Sequence, residues 1–400
     1  MIPEGWKEVL LDSITKRGSG HTPNKEHPEY WNGGIKWVSL ADSSKLDDRY
    51  IFSTEKEISS LGIENSSAVL HKAGTVILSR DAAVGKSAIL AFDMAVSQHF
   101  IAWKCSKSIS NIFLYYFLQK EKKEFERQAI GSTIKTIGLP YFKKFKILLP
   151  PLAEQKKIAE ILSTWDEAIS VVDKQLENCR LQKKALMQQL LTGKKRLPGF
   201  SGEWKFLPIK QIAQRIQRAS DGEAHPVLTI SSLSRFVRQE DKYARDMAGK
   251  SVERYILLQK GEFAYNKGNS KTYPCGCVFD LYEYESGLVL NVYVCFKLNE
   301  GNSLEFYRYV FEFDCIRFQL ENLINTGVRN NGLLNIKPED FMNVKVPVPS
   351  IEEQKTLADI FMKQDEIIRI LSKKLATLQE EKKSLMQQLL TGKKRVAVEE

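Results

Sequence analysis

Two polar loops hold the side chains best equipped for chemistry. Ser79, Arg80, Asp81 and Lys86 lie on one, and Tyr265, Lys267, Asn269, Ser270 and Lys271 on the other. They are hydrogen-bond donors, acceptors and cations, a set suited to recognition rather than to making or breaking bonds. The usual catalytic constellations are missing. The sequence contains no GxxxxGK[ST] phosphate loop. It has no Asn/Asp-Pro-Pro-aromatic tetrapeptide of the kind that holds a flipped adenine, and no glycine-rich strand-to-helix turn for S-adenosylmethionine. The only adjacent proline pair, LPPL at 149–152, reads as a helix entrance. His21, His27, His71, His99 and His225 lie far apart with no ligand spacing, and no acidic cluster suits a nuclease metal. Cys275-Gly-Cys277 is too close for a zinc pair and has no second pair, so the six cysteines are expected as reduced structural thiols. No catalytic residue and no metal ligand is expected.

The elements that must position these loops are organised by a repeat. EQKKIAEILSTWDEAISVVDKQLENCRLQKKALMQQLLTGKKR at 154–196 returns as EQKTLADIFMKQDEIIRILSKKLATLQEEKKSLMQQLLTGKKR at 353–395, without a gap. Prolines precede each copy, and Gly193 and Gly392, followed by lysines, suit a helix end. Between those signals apolar residues step by fours and threes. The first seam is Ile158, Leu162, Trp165, Ile169, Val172, Leu176, Cys179, Lys183, Leu186 and Leu190. The second is Leu357, Phe361, Gln364, Ile368, Leu371, Leu375, Leu378, Lys382, Leu385 and Leu389. A heptad sustained this long predicts a coiled coil, and one lysine in each seam is a device for setting register. A helix of roughly 38 residues is about 57 Å long, a rigid spacer. Two separately buried amphipathic helices are the plainer alternative.

The helices follow two globular segments of about 150 residues, each large enough for its own core. GWKEVLLDSI near the N-terminus is echoed by GEWKFLPIKQI at 202–212, so Trp6 and Trp204 mark matching entrances. In the first segment, turn formers and aromatics (His21, Tyr30, Trp31, Trp37) lead to strands flanking the 79–86 loop. A strand with Gln98 and His99 inside it follows, then a helix from about Ser110 to Ala129. The second segment repeats the plan, with one helix from about Leu304 to Ile324 before GVRNNGLLNI. The halves diverge most where polar residues cluster, as two versions of one module reading different things would.

Apolar content of 43% and charged content of 27% are those of an ordinary globular protein. The net charge of +10 favours a polyanionic partner. No apolar run is long enough to span a membrane and MIPEGWKEVL lacks a signal-peptide core, so a cytoplasmic protein is expected.

The order module–helix–module–helix resembles the specificity subunit of type I restriction–modification systems. So do PPLAEQKKI and PSIEEQKTL at the helix starts, LLTGKKR at their ends, and the stretches YWNGGIKWVS, LSRDAAVGKSAI and YNKGNSKTYPCG. The resemblance covers nearly the whole chain; Trp165 facing Gln364 at the matching position departs from strict symmetry. It implies an α+β protein with a pseudo-two-fold internal repeat. Two globular α/β target-recognition domains (1–150 and 198–348) are each followed by a long helix (151–197 and 349–400, the latter with a C-terminal tail). The two helices would pair as an antiparallel coiled coil. It also implies host defence through an asymmetric bipartite site on double-stranded DNA. Partners would be two adenine methyltransferase subunits and the restriction–translocase subunits. S-adenosylmethionine, ATP and Mg would sit only on those partners, with no cofactor on this chain.

Base readout needs Arg or Lys for guanine and Asn or Gln for adenine, on loops or strand ends. In the first module the candidates are Trp37, Ser79, Arg80, Lys86, Gln98, His99 and Lys135. In the second they are Arg235, Tyr265, Lys267, Asn269, Lys271, Arg329, Asn330 and Asn331. A solvated charge or turn residue is the plain alternative for each, and core packing for Trp31 and Trp37. Gln98 and His99, as strand neighbours, would face opposite sides, so only one would reach DNA. Competing readings are a self-contained methyltransferase or nuclease, against which the missing motifs argue, and a coiled-coil scaffold or DNA-binding protein acting without methyltransferase partners.

Overall fold

The computed structural model describes residues 2–231, 235–243, 254–268, 270–324 and 334–397. Two compact units emerge, 1–173 with 373–400, and 174–372. The first is built from two separate stretches and the second from one, and each contains one module with about half of each long helix.

In the first unit, β1 (Thr15–Ser19), β2 (Tyr50–Ile51), β3 (Val76–Ser79), β4 (Ser87–Leu90) and β5 (Phe100–Cys105) form a sheet ordered β1-β5-β3-β4-β2. β3 pairs antiparallel with both β4 and β5, and every residue of β3 and β4 is buried. Strand alternation then divides the side chains between two cores. Val76, Leu78, Ile101 and Trp103 pack under the helix α1 (Asn111–Gln128), while Ile77, Phe100 and Ala102 face a smaller cluster with Val38 and Val96. Ser110 caps α1, its hydroxyl accepting from the Phe113 amide.

The second unit repeats this with β6 (Ala213–Ile216), β7 (Phe263–Asn266), β8 (Cys277–Asp280) and β9 (Val294–Leu298), ordered β6-β9-β7-β8. Phe263, Tyr265 and Phe296 point to the helical side, Ala264 and Cys295 to the other. The single helix expected over 304–324 is two, Leu304–Glu312 and Arg317–Leu323. Asp314, at φ +57°, breaks the run; the left-handed region cannot continue an α-helix.

The long helices are α2 (Leu152–Leu190, 39 residues) and, last in the chain, α3 (Ile351–Leu390, 40 residues). All seam positions of both are buried or half-buried, including Cys179 and Gln364. In the first unit Glu154 and Asp166 of α2 bond to Arg395, just past α3, and Lys382 of α3. In the second, Lys183 and Arg196 bond to Asp365 and Glu353. Within each unit, therefore, the two segments run antiparallel. The seam lysines are explained by these carboxylates. Lys183 is bonded to Asp365 at 2.7 Å and Glu312 at 2.6 Å, and Lys382 to Asp166, so each lysine meets an acid where the apolar seam leaves a charge buried.

The doubled EQ sequence builds the same clamp twice. In the first unit the Trp6 indole donates to Glu154 at 3.0 Å, and Arg395 donates to both of its oxygens at 2.7 and 2.9 Å. In the second, Trp204 donates to Glu353 at 3.0 Å and Arg196 donates to both oxygens at 2.8 and 2.7 Å. Glu154 and Glu353 are 2% and 1% exposed, so each buried charge is satisfied by three donors. The following glutamine works alongside. Gln155 accepts from the Ser110 amide and donates to the Pro150 carbonyl, as Gln354 does with Ser303 and Pro349. Each helix entrance is thereby tied to the cap of its module's helix.

Candidate nucleic-acid interface

In the first unit three turns converge at one end of the sheet. The β3–β4 turn carries Arg80 to Lys86, the turn before β5 carries Gln98 and His99, and the Ile130–Thr136 segment carries Lys135. Backbone bonds lock them together: the Arg80 amide donates to His99, Ala82 to Lys135 and Ile137 to Arg80. Gly20 brings a fourth segment alongside. A Cβ there would collide with the Val96 carbonyl, and the absence of one lets His21 donate its amide to that same oxygen.

On this frame the Arg80 guanidinium donates to the Gln98 and Ile137 carbonyls at 3.3 Å each, and lies 3.5 Å from Asp81. His99 Nδ1 is 2.8 Å from Asp81 Oδ2. Gln98 and Lys135 are exposed, and Arg80 and His99 half-buried. Four of the seven first-module candidates therefore share one surface.

The other three take different places. Ser79 is fully buried, its hydroxyl donating to the Asp81 carbonyl, and it serves the turn rather than a ligand. Trp37 is 5% exposed, packs edge-on to Trp31 and donates to the His21 carbonyl, so it is core. Lys86 is half-buried, with its ammonium donating to the Ser43 carbonyl at 2.8 Å. Gln98 and His99 are also corrected in their setting. They form a turn ahead of β5, not strand interior, and their side chains approach to 3.5 Å on the same side.

In the second unit the β7–β8 loop is the counterpart. Tyr265 is not on it: fully buried, it stacks on Phe341 at 4.2 Å and donates to the Cys275 carbonyl, while burial pushes its phenol well up. Strand alternation puts it on the helical side, which a loop reading of YNKGNSKTY misses. Lys271 is exposed; Lys267 is half-buried, its carbonyl accepting from Leu334. Arg235, at φ +56°, donates to the buried Asp280 at 3.1 Å, which Arg308 also holds through both oxygens. Asn269, Arg329, Asn330 and Asn331 lie outside the described residues.

The thiols are inert in character. Burial pushes Cys105, Cys277, Cys295 and Cys315 up to about 12. Asp221, Glu223 and His225 come together although the spacing of the histidines does not suggest it, their candidate ligand atoms lying within 4.8 Å of one another. Both histidine nitrogens are already engaged, Nδ1 with Ser286 and Nε2 with Asp221. Thr22 was not singled out by sequence either, yet its hydroxyl donates to Gln98; a threonine in a turn carries no distinguishing signal.

Fold and site together define a mixed α/β protein of two related modules, each clamped to long helices and each presenting a different polar loop. Residues 3–178 match the model of the type I restriction modification DNA specificity domain. The chain is 26% identical to the type I restriction enzyme MjaVIII specificity subunit of Methanocaldococcus jannaschii, over 99% of this chain and 94% of that one. The S subunit of a type I restriction-modification system from M. genitalium shares the fold at a TM-score of 0.58 and 14% identity, covering 97% of this chain and 96% of that one. A chain from a structure described as the basis of complex assembly and conformational transition in the type I R-M system matches at 0.60 and 15%, covering 98% of each. Over residues 3–178 the chain thus matches a type I specificity domain, and over nearly its whole length it is similar to type I restriction enzyme specificity subunits.

Proposed function

We propose that this chain selects the DNA sequence on which separate methyltransferase and restriction–translocase subunits act. On this reading it is not an enzyme by itself. Each module reads one part of an asymmetric two-part target, two methyltransferase subunits join it, and S-adenosylmethionine, ATP and Mg belong to the partners. The cytoplasm is its place of action. One observation carries the reading: the two clamps are matched residue for residue, while the loops they support share almost nothing. Arg80, Gln98, His99 and Lys135 on one module have Arg235, Lys267 and Lys271 as the described candidates on the other. A constant frame with variable donors and acceptors is what reading two different base sequences requires.

The test is an adenine-methylation map of a host carrying a cognate methyltransferase subunit with this chain, without it, or with Lys271→Glu. Methylation at one asymmetric two-part motif that requires the intact chain is expected, weakened by the charge reversal. A map indifferent to the chain, despite a confirmed complex, sinks the proposal and leaves a scaffold.

A further inference from the structure

Within the first module a chain of hydrogen bonds runs outward from a buried acid to an exposed amide. Asp81, 6% exposed, meets His99 Nδ1 at 2.8 Å. A carboxylate oxygen only accepts, so that nitrogen carries the proton, and in the neutral imidazole the other ring nitrogen, Nε2, presents a lone pair. Gln98 Nε2 lies 3.5 Å from it and donates into it. The amide oxygen of Gln98 in turn accepts from the Thr22 hydroxyl. Both ends of the amide are thus assigned, because exchanging its oxygen and nitrogen would set the amide oxygen against the Nε2 lone pair of His99, two acceptors facing one another.

We infer that Gln98 is the residue through which the first module reads an adenine, with Asp81, His99 and Thr22 as positioning residues that set its amide. After its two internal bonds the amide keeps one N–H and one oxygen lone pair. Gln98 is exposed, so that pair is open to solvent. A donor and an acceptor side by side complement the N7 acceptor and N6 donor that adenine alone displays in the major groove. Guanine shows two acceptors there and rejects the amide oxygen. Holding the amide in one sense before contact removes the rotamer and flip freedom that a free glutamine loses on binding. Arg80 contributes differently: its guanidinium bonds to the Gln98 and Ile137 carbonyls and secures the turn that presents the side chain. Lys135, exposed on the adjoining segment, is placed for a phosphate rather than a base.

This rests on the DNA-reading function proposed above. The test uses the full chain assembled with its methyltransferase subunit. Once the methylation map has defined the target, duplexes substituted at each base pair in turn compete for the complex. Gln98→Ala is expected to lose about 10-fold or more of the preference at a single A·T pair in one half of the target, the other positions keeping theirs. Gln98→Glu, which can only accept, should move the preference there toward C·G, because cytosine offers a donor. Asp81→Asn allows the other imidazole tautomer and should blunt the same position and no other, an effect that a merely structural role would spread over the whole target. If Gln98→Ala does not assemble, Gln98→Glu and Thr22→Val carry the same reading. Unchanged preference at every pair, a uniform loss across the target, or a loss confined to a G·C pair overturns the inference. A complex whose preference owes nothing to this chain instead overturns the parent function.

Discussion

Glu353 shows what one buried carboxylate does in this fold. It is the meeting point of Trp204 and Arg196, and two of those three residues lie within stretches the sequence repeats. Glu353→Ala would leave the indole N–H and the guanidinium without their acceptor, a loss of about 2 kcal/mol that the urea midpoint should register. Glu154→Ala should behave the same way through Trp6 and Arg395, since the geometry is repeated. Asp314 is a second telling residue. Burial raises its carboxyl from 3.8 to about 6, so the fold favours the neutral acid. That contribution is complete below about 3.8 and is lost as pH rises through about 6. Asp314→Asn keeps a residue tolerant of the left-handed backbone and mimics the neutral form. Its melting temperature should exceed the parent's above pH 6, and the two should converge toward pH 4; a gap independent of pH would refute the assignment.

At the scale of elements, the long helices owe their pairing to a mixed seam rather than to leucine alone. Within the first unit Lys382 and Asp166 meet across the two helices, with the Tyr116 hydroxyl donating to Asp166 at 2.5 Å. Burial and that carboxylate push the tyrosine's pKa upward, so the phenol remains a donor at neutral pH. Lys382→Glu alone opposes two acids, and Asp166→Lys alone opposes two cations. Each should be destabilising, and the double exchange should recover part of the loss. A double-mutant cycle is expected to give a coupling of about 1–3 kcal/mol; additive losses would mean that the pair contributes nothing to register. The sheets follow a simpler rule. In β3 and β7 the alternation of side chains decides which residues lie under the helices, and this is why Tyr265 is core although its neighbours sit on a loop.

For the whole molecule, the net charge of +10 matters through its placement. Lys135 and Lys271 are exposed on the loops of the two units, whereas Lys86, Arg235 and Lys183 have acceptors of their own. Lys135→Glu and Lys271→Glu should each weaken DNA binding by the assembled complex across all sequences and lower the salt slope by about 1. Lys183→Glu, by contrast, should harm folding. A salt slope unmoved by either loop substitution would count against both loops as phosphate contacts.

Much of this architecture was legible in the residues. The repeat, the helix bounds near the prolines and glycines, and the seam are local and periodic, and periodicity survives translation into three dimensions. The matched tryptophans announced equivalent entrances, although nothing in the chain said that they would meet a glutamate far along it. The site was less legible. Ser79, Trp37 and Tyr265 look like ligands by type, yet burial depends on which face of a strand a residue takes and what packs there. The helix break at Asp314 has no proline or glycine to declare it. Sequence by itself determined the family resemblance, the duplication and the pool of polar side chains, because those rest on order and spacing. Only the tertiary structure decided which of them share a surface, since Thr22, Asp81, Gln98 and His99 are joined by hydrogen bonds between turns distant in the chain.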